Sequence, residues 1–198
     1  MTRGLMAIGL TCVLAASVHA QGARPGGGRG GRGAAAPAIT TLAGDIQADW
    51  ARTRTLITQI VEAMPDDKFN FKPTPAQQTF AQRVLHVSQT DLFILQTLGG
   101  KTPAPTINEK ATTKAALLAD LKQTFDYGEA VIKEFNDQQW VERVPPPGFM
   151  GSSASRVRII YFDMQHSEDM YGQFVVYVRL NGVTPPASAG RRGGPPEP

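Results

Sequence analysis

The sequence is poor in the residues that staple small exported proteins. It has one cysteine, Cys12, so an intramolecular disulfide and a cysteine-based zinc site are both excluded. It has no apolar run long enough to span a bilayer; the uncharged apolar run from Gly4 to Val18 falls short of the roughly 20 residues required. It also lacks a basic domain, although the formal charge is +3. Residues 39–182 hold 14 Lys and Arg against 16 Asp and Glu, a net of −2, so the basicity lies at the two ends. That distribution argues against a folded nucleic-acid-binding surface and leaves Arg-Gly stretches whose plain reading is a solvated tether. The apolar content, 41% of 198 residues, suits one soluble domain of ordinary size.

What is present at the start of the chain reads as an export signal. Arg3 supplies a short positive region, Gly4 to Val18 the apolar core, and Val18-His19-Ala20 a small-residue cleavage site. Cleavage before Gln21 would remove Cys12 and leave a thiol-free periplasmic or secreted protein of 178 residues. Residues 21–38 contain seven glycines and three arginines and are expected to be a disordered linker. Residues 183–198, rich in Pro and Gly, are expected to be a similar tail.

Between them, four segments show helical periodicity. From 41 to 64, Leu42, Ile46, Trp50, Thr53, Ile57, Ile60 and Met64 return to one face at 3.6 residues per turn, and Pro65 stops the run. A second segment starts at Thr74-Pro75-Ala76-Gln77, which has the form of a capping box, and ends at Gly99-Gly100. Its stripe is Ala81, Leu85, Ser88, Leu92 and Leu95. The third, 113–135, places Leu117, Leu121, Phe125, Gly128, Ile132 and Phe135 on one face. The fourth, 155–181, ends at Gly182 with Pro185-Pro186 beyond. No segment alternates as a strand does. The pattern predicts an all-α four-helix bundle over 39–182. Two connections are short enough to join antiparallel neighbours, whereas the third, 136–154, is long and contains Pro145-Pro146-Pro147.

Two histidines remain after signal cleavage. His86 lies mid-way along the second segment, on a stripe with Gln82, Gln89 or Thr90, and Phe93. His166 lies on a stripe of Ile159, Asp163, Met170, Gln173 and Tyr177 in the fourth. Burying such polar groups unsatisfied costs about 1–3 kcal/mol each, so partners are expected: each other, water or a metal. Facing helices of a bundle are a common frame for metal sites. A catalytic zinc usually takes three protein ligands, and here there are two histidines on different helices. Asp163, Glu168, Asp169 and Met170 are possible third ligands, and of these Asp163 and Met170 share the His166 face. The alternative is that each histidine is a hydrogen-bonded residue of the core or groove.

The segments KFNFKPTPAQQTFAQRVLHVSQTDLF and HSEDMYGQFVVYVRLNGVTPP resemble the DinB/YfiT-like family over most of residues 41–186. The second segment follows a family pattern H-x-x-x-H-[YR]-G-[QN], then Y-x-R-x-x-G-x-x-P-P. The latter falls here on Tyr177, Arg179, Gly182, Pro185 and Pro186. The resemblance implies a four-helix bundle with a three-histidine site for a divalent metal, zinc or nickel. It also implies a metal-dependent transferase or hydrolase, some members handling low-molecular-weight thiols. Matched by position, His86 is the second-helix ligand and His166 the first of the pair. The third ligand falls on Met170, a thioether that binds zinc far more weakly than imidazole does.

Three functional readings follow. The first is an exported metal-dependent enzyme with a weakened site at His86 and His166, helped by Asp163 or water, acting on a small molecule. The second is a non-catalytic bundle that has lost the metal, keeps Met170 as core filler and binds a ligand or partner. The third is a Cu(I) site, since two imidazoles and a thioether form a softer donor set than three imidazoles. No stripe is left over to fix an oligomeric state, so a dimer stays open.

Overall fold

The computed structural model describes residues 41–189. The expected signal peptide, the 21–38 linker and the last nine residues lie outside the described residues. Four long helices make the bundle: α1 (Leu42–Ala63), α2 (Phe80–Gln96), α3 (Lys114–Ile132) and α5 (Arg156–Leu180). Two short ones accompany them, α4 (Asp137–Val141) and α6 (Pro186–Ala189). Each long helix begins on a hydroxyl cap that accepts an otherwise orphaned backbone N–H: Thr41, Thr79, Thr113 and Ser155.

The start of α2 differs from the sequence expectation. Thr74 and Gln77 form only a turn, and the capping box is Thr79 with Gln82, five residues later. Two Thr-x-x-Gln boxes stand in tandem, and tertiary contacts select the second. Phe71 and Phe69 carbonyls accept from the amides of Phe80 and Ala81, and the buried Phe69 ring meets Phe80 edge-on at 5.2 Å. At the far end, α5 closes on Gly182 at φ +73°, with the Val183 amide donating to Val178 and the Gly182 amide to Arg179.

The four helices form a ring in which α1 and α2 each pack on both α3 and α5. Helices α1 and α2 therefore occupy opposite corners, although they follow one another in the chain. The expectation that they would be neighbours is corrected here. The connection of residues 64–79 is anchored as it crosses, with Lys114 Nζ donating to the Met64 carbonyl and pairing with Asp66.

The long connection after α3 is ordered. Helix α4 buries Trp140 against Phe135, and a two-residue antiparallel ladder pairs β1 (Arg143–Val144) with β2 (Ala154–Ser155). Arg156 ties this cover down: its guanidinium donates to the Leu98 and Gln139 carbonyls and lies over the Phe135 ring at 4.6 Å. The expected C-terminal tail is also shortened. Pro186, suited to a first helical position, opens α6, which packs on α1.

The α1–α3 seam is close where Trp50 crosses it. Trp50 lies across Gly128, where an added Cβ would stand 2.1 Å from the indole ring. The indole N–H donates to the Phe125 carbonyl at 3.2 Å, and the ring tilts on Phe125 at 5.3 Å. The α2–α5 seam is built differently and carries the candidate site.

Candidate functional site

Helix α2 buries a wider face than the simple stripe indicates, adding Phe80, Val84, Val87, Asp91 and Ile94 to the core. Leu85 moves to the margin. That rotation leaves His86 on the edge of the seam, half-buried, facing α5. On α5 the core face runs through Ile160, Met164, Ser167, Phe174 and Val178, leaving His166 on the matching edge. The two imidazoles meet there. Their Nε2 atoms are 3.2 Å apart and the rings stand edge to face at 5.1 Å.

At that distance one Nε2–H donates to the lone pair of the other, so at most one tautomeric proton occupies the contact. His86 Nδ1 has Thr90 Oγ1 at 3.4 Å, one turn along α2. His166 Nδ1 is buried with no protein partner among the described residues. Both rings are held neutral at physiological pH. Desolvation lowers the pKa of each; the Arg83 charge adds to this at His86, and His86 adds to it at His166 against an opposing pull from Asp169.

Met170, one turn beyond His166, is buried, and its sulfur receives Arg83 Nη1 at 3.8 Å. Arg83 is three residues before His86 on α2, so guanidinium and imidazole share a face. Its Nε is buried without a partner, and no carboxylate pairs with it among the described residues.

Asp163 is fully buried and faces Asp91 of α2. Ser167 Oγ donates to the Asp91 carboxylate at 3.1 Å, while neither Asp163 oxygen has an N–H or O–H donor. Two ionised carboxylates cannot share so dry a site, and a proton held between them satisfies both. Burial accordingly pushes Asp91 up to about 7, and burial together with the Asp91 charge pushes Asp163 well above the carboxylate range.

The structure thus brings His86, His166 and Met170 to one seam and turns Asp163 to a second pair. Among the described residues no three His, Cys, Asp or Glu side chains converge as a metal-binding group. Arg83, Asp91 and Ser167 were not singled out from sequence. Asp163 and Ser167, four apart on an otherwise apolar face, were a readable signal for a buried polar pair. Asp91, five residues from His86, is about 140° round the helix and lies off the histidine stripe.

A ring of four helices with a histidine pair set across one seam defines the class: a four-helix bundle with an inter-helical polar site. A family model for the DinB superfamily matches residues 49–174, and the chain belongs to that superfamily. Among solved structures, a DinB-like protein from Bacillus cereus ATCC 10987 is 17% identical with a TM-score of 0.64, over 74% of this chain and 96% of that one. YfiT from Bacillus subtilis, described as a probable metal-dependent hydrolase with an unusual four-helix bundle topology, is 17% identical with a TM-score of 0.56, over 77% and 95%. The DinB-like protein YjoA, also from Bacillus subtilis, is 17% identical with a TM-score of 0.56, over 70% and 92%. No functionally curated protein matches the chain.

Proposed function

We propose that this chain is an exported DinB-superfamily protein whose His86–His166 pair holds a divalent cation weakly, with Met170 at a degenerate third position. The observation that carries the reading is the 3.2 Å separation of the two Nε2 atoms. Two imidazole nitrogens bound to one tetrahedral ion at ordinary zinc distances lie about 3.3 Å apart, so little rearrangement is needed to admit a cation between them. Neutral imidazoles, held so by burial, are the ligating form. The description of YfiT as a probable metal-dependent hydrolase supports the same assignment.

The fit is to two protein ligands. Asp163 is committed to Asp91, and the Met170 thioether is a poor zinc donor. Zinc or nickel would keep its other positions for water or substrate, and would supply a nucleophile by lowering the pKa of a bound water or thiol. The chain's own contribution is to fix both imidazoles on rigid helices and keep one side of them dry. Zinc titration calorimetry tests this. The wild type should bind with far weaker affinity than a three-histidine site, and His166→Ala should abolish the heat. Equal heats from the two proteins would reject the assignment.

A second reading has its own support. The Arg83 guanidinium sits against Met170, where a third ligand would stand, and its charge disfavours a cation there. On that reading the protein is a non-catalytic ligand-binding bundle. Export rests on the charged, apolar and small-residue pattern of residues 1–20, and an N-terminus beginning at Gln21 in protein recovered from the periplasm or medium is the expected result.

A further inference from the structure

The α2–α5 seam has an excess of donors at one end and of apolar surface at the other. Arg83 offers five N–H groups, and among the described residues its guanidinium finds one hydrogen-bond partner, a thioether, which is a weak acceptor. Its Nε is buried and unpartnered, as is His166 Nδ1 next along the seam. The acids around it are already occupied. Asp169, which acts on His166, is exposed and accepts from Gln173 at 2.8 Å, while Asp91 and Asp163 hold each other behind the histidines.

In the other direction, Phe162 precedes His166 by one helical turn and shares its side of α5. It is 37% exposed, and its ring rests at 5.3 Å on that of Phe149, itself 65% exposed. The two rings pack on each other and still leave apolar surface in water at the edge of the polar seam. Met170, which meets the guanidinium, and Phe162 are eight residues apart, a backbone rise of about 12 Å along α5.

We propose that this seam binds a small organic carboxylate, its head on the Arg83 guanidinium beside His86 and its apolar body laid toward Phe162 and Phe149. A planar carboxylate matches the guanidinium fork and supplies the acceptor that the thioether does not. A compact inorganic anion would leave the aromatic shelf unused. The ligand shares its place with the cation reading but does not require a cation.

Calorimetry on the full chain, first treated with chelator, tests the proposal with octanoate, acetate and octanol as probes. Octanoate should bind at least tenfold more tightly than either acetate or octanol. Arg83→Gln should weaken octanoate at least tenfold while leaving the melting temperature within a few degrees. Phe149→Ala with Phe162→Ala should bring octanoate down to the level of acetate. Octanoate binding unchanged in Arg83→Gln, or octanol binding as tightly as octanoate, overturns the proposal. A zinc titration of the same sample separates the readings: octanoate without zinc keeps this proposal and removes the cation, and zinc without octanoate does the reverse.

Discussion

The α1–α3 and α2–α5 seams lie in one bundle and solve opposite problems. The first is closed by a tryptophan lying on a glycine, with its single polar atom satisfied by a backbone carbonyl. The second keeps an arginine, two histidines, two aspartates and a serine between the same kind of helices, with Arg83 Nε and His166 Nδ1 lacking a partner among the described residues. A bundle needs only seams of the first kind to be stable. The second seam costs more to bury than an apolar packing would, which is why it is the candidate functional side.

The largest effect should come from breaking the tight seam. Gly128→Ala drives a methyl group into the indole of Trp50, and a loss of about 3 kcal/mol is expected by denaturant unfolding. The corresponding change on α5 has the opposite sign. Gly172 of α5 is exposed with nothing near its missing Cβ, so Gly172→Ala should gain roughly 0.5–1 kcal/mol of stability. A loss of stability from Gly172→Ala would contradict the open position described for it.

A smaller effect follows from the carboxyl pair. The pKa values of Asp91 and Asp163 are raised in the folded state, so the stability they allow is full below about pH 4, where the unfolded chain also holds its protons. It is lost as pH rises toward and beyond 7. Between pH 6.5 and 8.5 the wild-type melting temperature should therefore fall, and that of a variant carrying both Asp91→Asn and Asp163→Asn should stay flatter. Parallel curves would show that no proton is shared there.

The histidines act in the opposite sense and more weakly, because they are only partly buried. Their lowered pKa values favour the neutral form on folding, so this contribution is present above about pH 6.5 and is lost as pH falls below it. Replacing His166 by Gln should reduce the drop in melting temperature between pH 7 and pH 5. An undiminished drop would place the titrating group elsewhere.

The helices were legible because their signals are local. Six of the seven positions in the α1 stripe are buried, and all of those in the α3 stripe, since an apolar repeat at helical spacing needs only one partner surface. The meeting of His86 and His166 followed from the same spacing together with the family resemblance. Three things were not legible. The diagonal placement of α1 and α2 is set by contacts distant in sequence, and a short connection suggested adjacency. The choice of Thr79 over Thr74 as the cap depends on Phe69 and Phe71. The partner of Asp163 is on another helix, at a position the histidine stripe does not pass through.

The central claim is that the second seam is a histidine cation site incomplete at Met170. Zinc calorimetry of Met170→His against the wild type tests it most directly. Residues four apart on α5 share a face, so the new imidazole would stand beside His166, where the thioether now meets Arg83. The account predicts that zinc affinity rises at least a hundredfold and that adding zinc raises the melting temperature of the variant by several degrees. An affinity and a melting temperature equal to those of the wild type would contradict it, showing that the seam lacks the geometry of a cation site as well as the third ligand.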